Sequence, residues 1–171
     1  SLIVQPVVKS PSPYDPNTQF TSIMKFVDAG QFIGVNADLP VKTVGELIAL
    51  AKREPGKLNH AHGGSATLLW LELFKAMAGV DMLHVPYKGI SQASTELIGG
   101  MVNAAFSNVL NVLPLIRSGK LRALGVTSST SLDILPGVPP IAQALPGYSA
   151  ELWWGLFAPA GTPADVVKKV H

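Results

Sequence analysis

The sequence predicts an α/β domain whose core is a parallel sheet. Three observations carry this. From residue 43 onward, helix-like and strand-like segments alternate, with turn signals between them. The strand-like segments are short and separated by helix-length intervals, which is the spacing of βαβ crossover units. A chain of 171 residues with 47% hydrophobic and 14% charged residues buries a real core and does not read as a disordered segment.

Local signals set each element in turn. Thr43 and Glu46 form a T-x-x-E capping box that starts a helix running through Arg53, and Pro55-Gly56 ends it. A strand from Leu58 to Ala61 leads into the small-residue loop HGGSAT, residues 62–67. The next helix, Leu68 to Ala78, is amphipathic in part, and Gly79 stops it as a C′ residue. The strand MLHV then reaches the loop PYKGIS, and a helix from about Ser91 to Ile98 ends at Gly99-Gly100. A strand from Val102 to Phe106 runs into Ser107-Asn108. VLNVLPLIRSG reads as a helix in which Pro114 fits only near the first turn or at a kink. A strand from Leu121 to Thr127 follows.

Two segments break this rhythm. Residues 1–35 hold strand-like runs, the turn-rich SPSPYDPNTQ and the apolar QFIGVN, without a clear helix. Residues 132–150 are rich in Pro and Gly, and LWWGLFAPA beyond them reads as another strand. The expected organisation is a wound α/β domain at 37–149, with 1–36 and 150–171 belonging to a second, incomplete domain across a hinge of two chain crossings. The chain opens on SLIVQPVV without an initiator Met and closes on GTPADVVKKVH. There Thr162 reads as an N-cap, Pro163 as the first helical residue and Asp165 as a first-turn acid, and a helix started in this way should run longer than two turns. The expectation is of a chain truncated at both ends.

Composition narrows the function classes. Thirteen Lys and Arg against eleven Asp and Glu leave a net charge of +2, and the basic residues are scattered, which gives nucleic-acid binding little electrostatic support. Charges, Pro or Gly interrupt every apolar run before the roughly 18 residues that a membrane helix needs. The absence of cysteine excludes disulfides, thiolate metal sites and cysteine nucleophiles.

In an open parallel sheet the ligand crevice lies beyond the carboxyl ends of the strands. Three strand-to-helix loops are expected at that edge. The first carries His62, Gly63, Gly64, Ser65 and Thr67; the second Tyr87, Lys88, Gly89 and Ser91; the third Ser107 and Asn108. Each opens a helix whose unpaired N–H groups and dipole favour an anion, so a carboxylate is a better guest than a cation. The competing reading of Thr67, Ser91 and Asn108 is that each merely caps its helix. Lys88 supplies a point charge or is simply solvated, and Tyr87 offers an apolar face with one hydroxyl. Trp153 and Trp154 are adjacent and so face opposite sides of a strand, one packing and the other turned toward an interlobe cleft.

Other chemistries find less support. His60 and His62 lie two apart and His84 is on another strand, but no acidic residue or further His accompanies them at ligand spacing, so no metal is expected. HGGSA has the look of an oxyanion loop, but no G-x-S-x-G elbow or triad pattern completes it, and no catalytic residue is expected. Phosphate-loop and dinucleotide fingerprints are absent, so no cofactor is implied.

The runs LPVKTVGELIALAKREPGKLNHAHGG, ELFKAMAGVDMLHVPYKGISQASTELIGGMVNAAFSN, LPLIRSGKLRALGVTSS and LPGVPPIAQALPGYSAELWWGLFAPAGTPADVV closely resemble the Bug/TctC family, the extracytoplasmic solute receptors of tripartite tricarboxylate transporters. The resemblance covers nearly the whole chain, including PYDPNTQFTSI, and the string AGVDMLHVPYKG is highly specific. It implies a two-lobed periplasmic-binding-protein fold of type II, of which this chain holds one α/β lobe and remnants of the other. It also implies a periplasmic location with a signal peptide ahead of residue 1, and a small organic-acid ligand. The implied partners are membrane transporter subunits or, alternatively, a sensor protein that reads the metabolite without transport. Unpaired strand edges of the incomplete lobe add the expectation of homo-oligomers.

Carried across residue by residue, the family's contacts in this lobe fall on His62 to Thr67, on Tyr87, Lys88 and Gly89, and on Phe106 to Asn108. The chain departs from the family in two places. AHGGSATLLW is about two residues shorter than the usual loop, which resembles SAGNGTSSHL, and it puts Trp70 near a usual His. VNAAFSN stands where VDLMFDN is common, so two acidic positions become Asn103 and Ser107, the second removing a negative charge beside the crevice.

Overall fold

The structure, a computed structural model, describes residues 11–170. The strand-like run at residues 1–8 lies outside the described residues. Contacts divide the chain into two units, residues 11–29 with 152–170, and Gly30–Glu151. Gln31–Asn36, expected with residues 1–36, therefore falls in the larger unit.

In the smaller unit, strand β1 (Phe20–Ala29) pairs antiparallel with β7 (Leu152–Pro159), from Phe20↔Pro159 to Ala29↔Leu152. Register shifts between Ser22 and Met24 and between Lys25 and Val27 put extra residues into β1 and raise its local twist. Helix α5 spans Ala164–Val170, with Asp165 in its first turn as expected. The Thr162 hydroxyl does not cap this helix; it donates to the Pro159 carbonyl at 2.7 Å and closes the turn after β7. Trp153 and Trp154 are 37% and 47% exposed, and the Trp153 ring lies 6.2 Å from that of Phe157.

The larger unit is built on β2 (Gln31–Asn36), β3 (Asn59–His62), β4 (Leu83–Pro86), β5 (Ala104–Asn108) and β6 (Leu121–Val126), in the spatial order β4-β3-β5-β2-β6. β3 is parallel to both β4 and β5, whereas β2 is antiparallel to both β5 and β6. Four strands thus run one way and β2 runs against them, which makes the sheet mixed rather than wholly parallel. All six residues of β2 are buried. A strand covered on both faces reads as a continuous apolar run, and such a run carries no sign of its direction.

Helices cover both faces of this sheet. α1 (Val44–Arg53) starts as expected, the Thr43 hydroxyl accepting from Glu46 N at 3.1 Å while the Glu46 carboxylate accepts from Lys42 N. α2 (Ser65–Ala78) begins three residues earlier than expected and ends at Gly79 in the left-handed conformation, φ 62°. On its face of the sheet, the Phe106 ring meets Trp70 and Phe74 edge-on, His60 at 5.2 Å and Tyr148 in a stack at 6.4 Å. The buried Tyr148 hydroxyl donates to the Trp70 carbonyl at 3.2 Å.

On the opposite face, α3 (Ile90–Ile98) and α4 (Val109–Arg117) bury Ala93, Leu97, Val109 and Val112 with Phe32, Ala61 and Ala105. Pro114 sits inside α4, past the first turn. The residue whose carbonyl loses its helical donor there, Leu110, is exposed, so the helix continues through the proline.

Asparagines fasten the edge where β2 ends and β3 and β5 begin. Asn59 and Asn103 exchange side-chain bonds, Asn59 N to Asn103 Oδ1 at 2.9 Å and Asn103 N to Asn59 Oδ1 at 2.7 Å. Asn36 Nδ2 donates to the Leu97 and Ile98 carbonyls at the end of α3. Asn103 is thus a structural residue at the edge remote from the helix mouths.

Candidate functional site

Because β4, β3 and β5 are adjacent and parallel, their carboxyl ends at Pro86, His62 and Asn108 share one edge of the sheet. A helix leaves each end: α2 after Gly63-Gly64, α3 after Tyr87-Lys88-Gly89, and α4 directly after Asn108. The first two loops are in contact. Tyr87 N donates to the His62 carbonyl at 2.9 Å, and a Cβ on Gly63 would stand 2.5 Å from Ile90 N. The third lies one strand away, since the His60↔Ala104 and Ala61↔Ala105 register, continued, brings Gly63 level with Ser107.

Two of the anticipated side chains are occupied by backbone. The Thr67 hydroxyl accepts from Gly63 N at 3.2 Å and donates to the Gly64 carbonyl at 3.0 Å, so this buried residue holds the loop's shape. Asn108 Oδ1 accepts from Leu110 N at 2.8 Å and caps α4. For these two the capping and loop-holding role is the one the structure displays.

Ser91 differs from the expectation. The N-cap of α3 is Gly89, with no side-chain bond, and Ser91 is the second helical residue. α2 likewise begins at an uncapped Gly64, with Ser65 as its exposed first residue. No side chain therefore caps the first-turn N–H groups of α2 and α3, and none of α2, α3 and α4 has an acidic residue in its first turn. By contrast α1 has Glu46 and α5 has Asp165 there. The positive ends of the three rim helices are left without an internal counter-charge.

The remaining residues complete the rim. Lys88 is exposed, while Tyr87 is half-buried against the apolar cluster under α3 and α4. Ser107 is 2% exposed and its hydroxyl has no hydrogen-bond partner. His62 is 9% exposed, neither ring nitrogen has a partner, and its ring lies 5.6 Å from that of His84. Burial chiefly, then the neighbouring His84, hold the His62 pKa below the ordinary histidine value, with the Gly64 carbonyl and Glu72 acting the other way. His60, one step further in, is fully buried; desolvation, reinforced by His62, lowers its pKa to about 3. Among the described residues no group of three ligating side chains is placed to hold a metal ion.

His84 and Glu72 were not anticipated as neighbours of this rim. The His60↔His84 register, which sets His84 beside the end of β3, exists only once β3 and β4 pair. The only signal in the sequence is that His84 shares its strand with the loop at Tyr87.

A family model described as "Tripartite tricarboxylate transporter family receptor" matches residues 1–171. A curated relative, the UPF0065 protein in the tcbD-tcbE intergenic region of Pseudomonas sp. (strain P51), is 37% identical over 163 residues, 93% of this chain and 48% of the relative. The periplasmic binding protein BugD superposes with a TM-score of 0.87 at 31% identity, covering 99% of this chain and 57% of that one. MatC (Rpa3494) from Rhodopseudomonas palustris with bound malate superposes with a TM-score of 0.83 at 30% identity, covering 93% of this chain and 55% of that one. The chain thus spans about half the length of the curated relatives it matches, and its α/β architecture is that of periplasmic binding proteins. Among the described residues no helix is long and apolar enough to cross a membrane.

Proposed function

This chain belongs to the tripartite tricarboxylate transporter receptor family, one of periplasmic solute-binding receptors, and we propose that it contributes one half of a pocket that captures a small organic acid for a membrane transporter. The observation that carries this is electrostatic. Three helix N-termini open at one sheet edge, two of them without a side-chain cap and none with an acid in its first turn. Such an arrangement stabilises a carboxylate and repels no anion. Malate in MatC, a relative by fold and sequence, is a guest of this charge class.

In this reading the groups that hold the acid are backbone N–H groups of the first turns of α2 and α3, joined by Ser65, Tyr87 and Lys88. His62 and Ser107 line the rim, and Gly63, Gly64 and Gly89 allow close approach of the main chain. Thr67 and Asn108 act indirectly, by fixing the loops. The remaining contacts come from a second lobe, and closure follows from tighter binding to the closed form. The periplasmic location and the transporter partner belong to the same proposal and rest on family membership.

The test is a titration of the full-length protein with mono- and dicarboxylates, amino acids and nicotinate-like acids, read by calorimetry and thermal shift. Binding of at least one acid with a measurable shift is the expected result. Silence from every acid overturns the reading.

A further inference from the structure

His62 is a polar ring in an unusual position. It is nine-tenths buried, neither nitrogen has a hydrogen-bond partner, and it ends β3 two residues before Gly64, the N-cap of α2. Buried imidazoles ordinarily donate to at least one acceptor, because an unmet N–H costs the desolvation of that group. The charged groups around this ring are few. His60 lies on its own strand, His84 on β4 with the rings 5.6 Å apart, and Glu72 on α2, where it is paired with Lys75 at 3.2 Å; Lys88 is exposed in the loop after β4. Burial, His84 and the positive end of α2 oppose a proton on the ring, and Glu72 and the Gly64 carbonyl favour it.

An anion at the mouth of α2 changes this balance. It supplies a charged acceptor where the ring has only the neighbouring Gly64 carbonyl, and it offsets the helix end that disfavours the imidazolium. We propose that His62 couples carboxylate capture to proton uptake, the neutral ring taking one proton from solvent as the anion settles beside it. One proton enters per anion bound, no covalent bond forms or breaks, and the bound state gains an N–H⁺ donor toward the carboxylate. This rests on the capture reading above and adds its regulation: the receptor holds its acid more tightly as the pH falls.

The experiment is calorimetric titration of the protein with malate between pH 6 and pH 8, where both malate carboxyls are ionised, in buffers of differing ionisation enthalpy. The expected result is uptake of up to one proton per malate and an affinity about five- to tenfold higher at pH 6 than at pH 8. His62→Gln should flatten the dependence. His84→Gln, on the exposed edge strand, should move the rise to higher pH by removing a like charge, and this second variant serves if the first fails to fold. Binding that is independent of pH and buffer, or a profile unshifted in both variants, overturns proton coupling and leaves carboxylate capture standing. No binding of malate or any other carboxylate at any pH overturns the capture reading, and proton coupling with it.

Discussion

Gly63 lies against the Gly89–Ile90 peptide so closely that a Cβ on it would stand 2.5 Å from Ile90 N and 2.7 Å from the Gly89 carbonyl carbon. Two helix mouths are thereby packed backbone to backbone, and only glycine permits it. Gly63→Ala forces the loops apart and should cost about 1–3 kcal/mol, the range of core overpacking. Gly64→Ala is the control, since nothing lies within 4 Å of its added Cβ and its extended φ suits any residue. Urea unfolding of the two variants checks this, and equal stabilities would contradict the packing argument.

His60 makes the larger unit sensitive to acid. Its folded pKa of about 3 lies below the unfolded value of 6.5 because the ring is buried beside Phe106. Above pH 6.5 the ring is neutral in both states and has no effect. Between 6.5 and 3 the unfolded chain binds a proton that the folded one excludes, so stability falls on acidification by about 1.4 kcal/mol per pH unit, with His62 adding in the same direction. His60→Leu should flatten the loss of stability measured by urea unfolding at pH 7, 5.5 and 4.5. A variant that follows the original curve assigns the acid sensitivity elsewhere.

Asn103 and Asn59 hold the starts of β5 and β3 together, each side-chain oxygen accepting the other's N–H. Asn103→Ala leaves Asn59 N without its partner and should cost about 1–3 kcal/mol. Asn103→Asp keeps the accepting oxygen and should cost clearly less. A chemical-denaturation series that ranks Asp below Ala would refute the acceptor role.

Ser107 separates stability from binding. Its buried hydroxyl has no partner, so Ser107→Ala removes an unmet polar group and should leave stability within about 0.5 kcal/mol of the original or slightly above it. Ser107→Asp sets a carboxylate level with Gly63 at a rim that otherwise has no first-turn acid, and should weaken malate binding by about tenfold or more. Calorimetry on both variants reads the two effects. Undiminished malate affinity in the Asp variant would remove Ser107 from the site.

The segments carrying strong local chemistry were legible in the sequence. The Thr43–Glu46 box, the Gly79 stop and the Thr-, Gly- and Asn-rich loops each act within about five residues of chain, and local hydrogen bonding and φ preferences fix them regardless of what packs around them. The three loops of the candidate site were legible for the same reason, because parallel strands joined by helices place their carboxyl ends at one edge. The direction of β2 was not, since the FIGV centre of QFIGVN is an uninterrupted apolar run with all six residues buried, and direction is a property of the pairs it makes with β5 and β6. Nor was the sorting of the site's side chains into those that fix loops, Thr67 and Asn108, and those left unpartnered, His62 and Ser107. A side chain's partner depends on distances across strands and loops far apart in the chain, and only the folded backbone sets those distances.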